Sequence, residues 1–292
     1  MLIPFITAKS SPHLSASNTG LGNVLFQVAS VIGIAHQIGV SYGLPTLKEL
    51  AHLLAQRYNF NHKDTIFKKV LATQDTILLP TLTLQEETHK GKHYQPQLIE
   101  RIKQHCHTHN IIIEGYLESH LYFNTIQSEI RELFTSDLLT QQYFYTKYPS
   151  LQTTTPIALH CRYEDGSSPN YYKKAIRTLQ NRYQSTPLHF FMFSNDIPRL
   201  QNDLRDIPFE NNVTWVKEQF DYQELWLMSL CHHFIIGLST FGWWGAFLST
   251  QENKNVLYTQ EAVHYFEHSS HRLSPHDTKH SYFYPSYECI TL

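Results

Sequence analysis

The sequence predicts an α/β fold in which helices alternate with the strands of a parallel sheet. From residue 156 onwards, short apolar runs such as 157–160 and 188–193 alternate with longer segments of helical periodicity such as 171–183. Alternation at this spacing is typical of βαβ units, whose successive strands run parallel. Open parallel sheets bind ligands at the carboxyl ends of their strands, so functional residues are expected there.

The length and the composition allow two such domains. The chain has 292 residues, of which 41% are hydrophobic and 16% are charged, and this composition is that of a folded protein. A stretch rich in Tyr, Thr and Pro at 143–156 favours a boundary near residue 150. We therefore expect an N-terminal α/β domain at 1–150 and a C-terminal one at 151–292.

The N-terminal half contains a glycine turn that opens a helix. Residues 2–7 predict a short strand, and after Gly22 an apolar stripe at helical spacing begins at Leu25. The turn lacks the third glycine of the dinucleotide-binding GxGxxG pattern, so a dehydrogenase is not favoured. On local grounds, Asn23 is expected to cap the helix. Further along, the β-branched run at 111–113 predicts a strand that ends in a loop.

The C-terminal half continues the same alternation. Its apolar patterns predict helices at 222–230 and 241–248 and strands at 234–237 and 256–258. These elements complete a parallel sheet with the strands named above.

Three of the predicted strand ends carry polar groups. They are His160-Cys161-Arg162, Ser194-Asn195-Asp196 and Ser239-Thr240. The last pair precedes a helix, whose positive end offers backbone N–H groups to an anion. Arg162 adds a planar fork of donors that suits phosphate oxygens. Together these groups predict a diphosphate clamp that works without a metal ion.

The same residues also allow plainer structural roles. Arg162 is placed to pair with Glu164 or Asp165 at the surface, and Ser239 is placed to cap the helix that follows it. Both interpretations stay open at this point.

The histidine-rich stretch HCHTHN at 105–110 raises the question of a zinc site. His105, His107 and His109 would share one face of a strand, but no second pair of ligands accompanies them. The chain also lacks an Asp-x-Asp pair for a nucleotide-bound divalent ion. We therefore expect no metal cofactor.

The charge balance and the cysteines limit the partners and the compartment. Lys and Arg total 23 against 25 Asp and Glu, and the formal charge of -2 argues against nucleic acid as the main partner. Four dispersed cysteines without a CxxC pair indicate a reducing compartment. Neither a signal peptide nor a membrane span is recognised. The expected location is cytoplasmic, with peripheral membrane association left open.

Six stretches become informative when they are taken together and in order. They are GLGNVLFQVA at 20–29, GYLESHLYF at 115–123, HCRYEDG at 160–166, YYKKAI at 171–176, FSND at 193–196 and ELWLMSLCHHFIIGLSTFGWWGAFL at 224–248. In this order they resemble the α-1,2-fucosyltransferase family of glycosyltransferases, which is glycosyltransferase family 11. The last stretch is highly specific, whereas the glycine turn alone would be weak.

The resemblance implies a fold and a reaction. The fold is GT-B-like, with two Rossmann-like domains whose parallel sheets face a central cleft, and the C-terminal domain holds most of the nucleotide. The reaction moves L-fucose from GDP-fucose, with inversion, to a sugar hydroxyl, usually the 2-hydroxyl of a galactose in a glycan. The implied partners are GDP-fucose and a galactose-containing acceptor. The oligomeric state stays open.

The resemblance also implies which residues hold the phosphates. Arg162 matches the first arginine of a His-x-Arg-Arg-x-Asp motif and would bind the β-phosphate. Ser239 and Thr240 match a phosphate-binding hydroxyl pair, next to the backbone N–H groups around Phe241. Arg162 is the first of two implied catalytic residues, because it would stabilise the charge of the leaving GDP.

Further implied residues lie around the base and in the glycine turn. His160 matches the motif histidine and would lie near the guanine with Glu224, where the family usually has Asp. Gly22 and Asn23 match the glycine turn, and Asn23 is the second implied catalytic residue because it faces the leaving group.

The resemblance leaves the general base unassigned, since Asp165, Glu118 and Asp196 all lie in matched motifs.

The chain departs from the family pattern close to the expected site. Tyr163 stands where the motif has its second arginine, Glu164 replaces a glycine, and Val24 replaces a glutamine. The loss of an arginine predicts a weaker positive charge near the site. Two alternatives therefore stay open: a catalytically weak protein that binds sugar nucleotides or glycans, and a related transferase with another GDP-sugar donor.

Overall fold

The computed structural model describes residues 1–4, 20–44, 66–71, 80–86, 93–209, 211–261 and 280–292. The chain divides into two compact units. The first comprises Met1–Phe134 with Arg272–Tyr284, and the second comprises Thr135–His271 with Pro285–Leu292. Each unit contains a parallel sheet with helices, which confirms the predicted α/β class.

The first unit contains a three-stranded parallel sheet in the order β1-β3-β2. Its strands are β1 (Leu2–Pro4), β2 (Thr81–Gln85) and β3 (Asn110–Glu114), and its helices are α1 (Leu21–Ile38), α2 (Lys68–Leu71), α3 (Pro96–His105) and α4 (Gln127–Phe134). Strand β3 confirms the strand predicted at 111–113. Strand β1 confirms the first three residues of the predicted strand 2–7, and the last three lie outside the described part of the chain.

Helix α1 begins at the glycine turn, as predicted, and supplies much of the core of the first unit. Gly39 ends it at a φ of 77°, a left-handed conformation that glycine adopts without strain. Gly20 is the N-cap and Asn23 is the third helical residue, so the prediction that Asn23 caps the helix is wrong. By length and apolar composition α1 resembles a membrane span, yet 78% of it is buried, as in a core helix.

The second unit contains a six-stranded parallel sheet in the order β6-β5-β4-β7-β8-β9. Its strands are β4 (Thr155–Cys161), β5 (Leu188–Ser194), β6 (Val213–Trp215), β7 (His233–Ile236), β8 (Val256–Thr259) and β9 (Glu288–Ile290). Its helices are α5 (Leu138–Lys147), α6 (Ser150–Thr153), α7 (Pro169–Arg182), α8 (Ile197–Asp203), α9 (Asp221–Ser229) and α10 (Thr240–Leu248). Counted from β4, the strand order is that of dinucleotide-binding Rossmann folds.

Strand β4 lies at the centre of this sheet because it is apolar on both faces. It pairs with β5 and with β7, so that Leu159 lies beside Met192 and Ile235, and all three side chains are buried. Near-continuous apolar runs are typical of strands that helices cover on both faces. Alternate residues, including Ile157 and Cys161, join the core beneath α7 and α8.

The division between the units falls earlier than the boundary predicted at residue 150. Helix α5 belongs to the second unit, because Lys147 donates to both oxygens of Glu218 at 2.8 Å. Tyr148 donates to the same buried carboxylate at 2.6 Å. These contacts tie the stretch at 138–148 to the loop that precedes α9, a link that local composition does not reveal.

The chain also returns to the first unit near its end. Ser119 Oγ donates to the carbonyl of Ser281 at 2.7 Å, and the ring of His120 stacks on the ring of Tyr284 at 4.1 Å. Residues 280–284 therefore pack on the first unit and not within a domain that spans 151–292.

Candidate functional site

The strand order of the second unit reverses between β4 and β7. The connections that leave these two strands run in opposite directions, and right-handed crossovers then place α7 and α10 on opposite faces of the sheet. A crevice forms where the helices diverge, and open α/β sheets bind nucleotides at this position. The residues that follow β4 and β7 are the predicted groups at 160–162 and 239–240.

Residues at the end of β4 alternate between the two faces of the sheet. His160 faces α10, where its ring lies 5.3 Å from the ring of Phe241, centroid to centroid. Arg162 continues the extended backbone and falls on the same face, whereas Cys161 and Tyr163 join the core beneath α7 and α8. The predicted histidine and arginine are therefore both on the α10 side of the crevice.

Helix α10 begins at the predicted hydroxyl pair. Ser239 is the N-cap, and its Oγ accepts the N–H of Phe241 at 3.4 Å. Thr240 is the first helical residue, and its side chain is buried. The first-turn N–H groups of a helix lack acceptors within the helix and form its positive end. The cap role is confirmed, and it engages the N–H of Phe241, which the resemblance places among the donors to the phosphates.

Two glycines that the sequence analysis missed bring α10 close to its neighbours. A Cβ atom on Gly242 would lie 3.0 Å from Nδ1 of His160, and a Cβ on Gly245 would overlap the side chain of Met228 in α9. The pattern that points to them is a pair of glycines three residues apart in a helix of large aromatic residues. Because Gly242 has no side chain, the N-terminal turn of α10 can lie close to His160 at the end of β4.

His160 is a neutral hydrogen-bonding group. Burial and, to a smaller extent, the nearby charge of Arg162 lower the pKa of its imidazole to about 3. Its Nδ1 is buried and has no hydrogen-bond partner in the described part of the chain. His160 therefore carries no positive charge at neutral pH, so the positive charge near the end of β4 comes from the arginine.

Arg162 forms one weak ion pair. Its Nε lies 3.5 Å from Oε2 of Glu164, and the side chains are 45% and 62% exposed. Exposed pairs of this kind contribute at most about 1 kcal/mol. Asn195 Nδ2 donates to both oxygens of Glu164 at 2.8 Å and so holds the carboxylate in place. The predicted pairing with Glu164 is confirmed, and across the described ranges no other acidic side chain pairs with Arg162.

The side chain of Tyr163 lies on the other face of the sheet from Arg162. Its hydroxyl donates to Asp203 at 2.8 Å, and the guanidinium of Arg199 lies 3.9 Å from the centre of its ring. Both partners belong to α8, on the opposite face of the sheet. Alternation along the chain therefore separates Tyr163 from Arg162, and the weaker charge that the missing arginine implies stays a prediction.

Glu224 lies on α9, which packs against α10. Its Oε1 accepts the N–H of Glu218 at 3.2 Å. Burial raises the pKa of Glu224 to about 7, with smaller contributions from the charges of Asp221 and Glu218. This carboxyl group therefore changes its ionisation near neutral pH.

The remaining predicted residues belong to other elements of the fold. Gly22 and Asn23 occupy the first turn of α1 in the first unit. Asp196 caps α8, where its carboxylate accepts the N–H of Arg199 at 3.1 Å, so it already has a structural role.

The histidine-rich stretch does not form a strand. His105 ends α3, residues 106–109 form a turn, and the ring of His109 lies 6.2 Å from the ring of His105, edge to face. Among the residues that the structure describes, no three His, Cys, Asp or Glu side chains are grouped to hold a metal ion.

Sequence comparisons match the chain to one family over most of its length. The family model described as "Glycosyl transferase family 11" matches residues 14–273. An alpha-1,2-colitosyltransferase of Escherichia coli is 28% identical over 153 residues, which are 47% of this chain and 51% of that protein. The O-antigen biosynthesis glycosyltransferase WbnK of Escherichia coli is 33% identical over 88 residues, 30% of this chain and 28% of that protein. The matched segment thus covers about half of the colitosyltransferase and about a quarter of WbnK.

Solved structures of fucosyltransferases share the fold. The fucosyltransferase NodZ from Bradyrhizobium is similar with a TM-score of 0.50 and 12% identity, over 84% of this chain and 92% of that one. A variant of Arabidopsis thaliana FUT1 in complex with GDP is similar with a TM-score of 0.51 and 12% identity, over 88% of this chain and 69% of that one. The predicted GT-B-like fold class is confirmed.

Proposed function

The chain belongs to glycosyl transferase family 11, and from this premise we propose that it transfers L-fucose from GDP-fucose to a sugar hydroxyl. The favoured acceptor is the 2-hydroxyl of a galactose in a glycan, which agrees with the α-1,2 linkage in the name of the colitosyltransferase. One observation carries the proposal. Arg162 lies at the reversal point of a Rossmann-type sheet, on the same face as the capped N-terminus of α10.

The proposed mechanism depends on stabilising the leaving group. Cleavage of the bond between fucose and phosphate places negative charge on GDP, and preorganised donors lower the barrier when they point at that charge. Arg162 supplies its guanidinium, and α10 supplies first-turn N–H groups next to Ser239 and Thr240. These residues need no metal ion for that task. Asn23 is proposed as a second catalytic residue.

We further propose that Glu224 and neutral His160 recognise the guanine. An ionised carboxylate accepts both the N1–H and the N2–H groups of guanine, whereas a protonated one accepts fewer hydrogen bonds. A solved structure with the same fold supports the choice of nucleotide, since the NodZ alpha-1,6-fucosyltransferase was soaked with GDP-fucose.

GDP affinity is expected to rise with pH through about 7. Because the pKa of Glu224 is about 7 in the free protein, each pH unit below that value should weaken binding by up to about tenfold, and binding should level off above pH 8. Calorimetric titration with GDP at pH 6, 7 and 8 measures this change. Glu224→Gln should bind more weakly and show a smaller pH dependence, because only the ionisation of the terminal phosphate of GDP, with a second pKa of about 6, then contributes. A wild-type affinity that is constant from pH 6 to 8 would contradict the role of Glu224.

Turnover separates the proposed enzyme from a binding protein. With GDP-fucose and a β-galactoside, the protein should release GDP and form a fucosylated product in equal amounts, as measured by coupled GDP detection and mass spectrometry. Binding of GDP-fucose without GDP release would favour the alternative of a catalytically weak sugar-nucleotide-binding protein.

A second candidate donor is GDP-colitose, because a relative is named as a colitosyltransferase. Colitose is the 3-deoxy analogue of L-fucose. A site that hydrogen-bonds the 3-hydroxyl of fucose should discriminate strongly against the deoxy sugar, whereas a purely apolar contact should not. The ratio of kcat/KM for GDP-fucose to that for GDP-colitose, with GDP-mannose as a third donor, decides between them.

A further inference from the structure

The turn at 115–118 follows β3 in the first unit and has an unusual backbone. Leu117 has a φ of 51°, in the left-handed region that a branched residue with a Cβ rarely adopts. Such conformations persist only where the surrounding structure holds them, and they concentrate at functional sites. The turn belongs to the GYLESHLYF stretch, and the proposed function assigns it no role so far.

A buried carboxyl group holds this turn from one side. Glu86, directly after β2, is 4% exposed, and its Oε2 accepts the N–H groups of Tyr116 at 3.0 Å and of Leu117 at 3.3 Å. Burial raises the pKa of Glu86 to about 8, so the group is mostly neutral at pH 7. A Cβ atom on Gly115 would lie 2.5 Å from the Oε2 of Glu86, which leaves room for glycine only.

Helix α1 holds the turn from the other side. Gln27 Nε2 donates to the carbonyl of Gly115 at 2.8 Å, and Ser30 Oγ donates to the carbonyl of Leu117 at 2.9 Å. Asn23, Gln27 and Ser30 follow one another at intervals of four and three residues and therefore share one face of the helix. Asn23 thus lies on the face of α1 that contacts the turn, one helical turn closer to the N-terminus.

Two buried oxygen atoms beside the turn are unused. Oε1 of Glu86 and Oε1 of Gln27 have no hydrogen-bond partner in the described ranges, although both side chains are 4% exposed. Native proteins rarely leave such atoms without a partner, so each of these oxygens indicates a place for a water molecule or a ligand hydroxyl.

The turn lies where a ligand of the first unit is expected. Strands β1, β2 and β3 are parallel, and the carboxyl ends of β2 and β3 lead directly to Glu86 and to the turn at 115–118. Ligands bind at this edge of open parallel sheets. Tyr116, which is partly exposed, offers an apolar ring face together with a phenolic hydroxyl, a combination that suits the C–H face and the hydroxyl groups of a sugar.

We propose that the turn at 115–118 binds the acceptor sugar, with Tyr116 in contact with the sugar and Glu86 as a positioning residue that holds the turn in its strained conformation. This inference rests on the proposed function, because a glycosyltransferase needs an acceptor site. The residues assigned to the nucleotide, apart from those of the glycine turn, come from the second unit. A change in the turn should therefore affect the acceptor and leave the affinity for GDP unchanged.

The first test concerns Tyr116. Tyr116→Ala should raise the KM for a β-galactoside acceptor by about tenfold, while the Kd for GDP measured by calorimetry stays within twofold of the wild-type value. The matched control is Tyr143→Ala, which removes a 49% exposed tyrosine from α5 and should change neither constant. An unchanged acceptor KM in folded Tyr116→Ala overturns the proposal.

The second test concerns Glu86. Glu86→Gln keeps an uncharged side chain with an oxygen that can accept the N–H groups of Tyr116 and Leu117. Its KM for the acceptor sugar at pH 7 should therefore equal that of the wild type. Glu86→Ala should raise the acceptor KM severalfold and leave the Kd for GDP unchanged. The positioning role is wrong if Glu86→Ala lowers Tm without raising the acceptor KM. It is also wrong if the acceptor KM of Glu86→Gln differs from that of the wild type.

Direct binding distinguishes a failure of this inference from a failure of the proposed function. Saturation-transfer NMR with a β-galactoside and without donor reports acceptor binding even if no transfer is detected. Binding by the wild type that is lost in Tyr116→Ala supports the turn as a sugar site. No binding by the wild type, or equal binding by both proteins, overturns it.

Discussion

Replacing Arg162 with alanine should lower kcat/KM for fucosyl transfer by about a hundredfold. Removal of one preorganised donor that faces developing negative charge typically costs about 3 kcal/mol of transition-state stabilisation. The loss should appear mainly in kcat, because the charge on the diphosphate grows as the bond breaks. Arg162→Lys keeps the charge and loses the planar fork, so its rate should lie between those of the alanine variant and the wild type. Steady-state kinetics with GDP-fucose measure the difference.

Folding is not expected to suffer, because the side chain is 45% exposed and its ion pair with Glu164 is weak. Arg177→Ala is the matched control, since it removes another exposed arginine of the second unit, paired with Asp206 at 3.6 Å. That control should retain wild-type kinetics. Near-normal transfer by Arg162→Ala would show that this arginine does not stabilise the leaving group.

Replacing Gly33 with alanine should destabilise the first unit by about 2–3 kcal/mol. An added Cβ would overlap the carbonyl oxygen of Tyr122 and lie 2.6 Å from the Cα of Phe123, so backbone must move. Overpacking of this kind typically costs about 1–3 kcal/mol or more. Helix propensity alone predicts the opposite sign, a gain of about 1 kcal/mol for glycine to alanine in a helix interior. Thermal unfolding monitored by circular dichroism should show a lower Tm.

Gln37→Ala provides the comparison in the same helix. This residue is exposed on α1, and its replacement should change stability by less than about 0.5 kcal/mol. A Tm for Gly33→Ala that equals or exceeds the wild-type value would mean that α1 does not approach the 122–123 segment as closely as the structure shows.

The sequence predicts the central elements of the second unit well, for a physical reason. Strands β4 and β7 and helix α10 are buried on most sides, so their patterns are unbroken apolar runs that end in polar groups. Strands β6 and β9 span only three residues each, too few to show a period. Helix α5 exposes Leu138 and Leu139, so its sequence lacks a clear amphipathic pattern. For this reason the sequence does not show that α5 belongs to the second unit, and the predicted boundary falls too late.

The candidate site is predictable in its residue types but not in its geometry. The sequence identifies Arg162, His160 and the hydroxyl pair, and it allows both the functional and the structural role of each. Only the structure shows that Tyr163 contacts α8 on the other face of the sheet, and that Gly242 sets the distance between α10 and His160. Such contacts join residues that are far apart in sequence, so no local pattern reveals them.

The most direct test of the central claim is calorimetric titration of GDP into the wild-type protein and into Arg162→Ala, both in excess EDTA. If Arg162 and the N-terminus of α10 form a metal-independent diphosphate site, the wild type should bind GDP saturably in EDTA, and the alanine variant should bind at least about tenfold more weakly. Equal affinities, or binding by the wild type that appears only with a divalent ion, would contradict the claim.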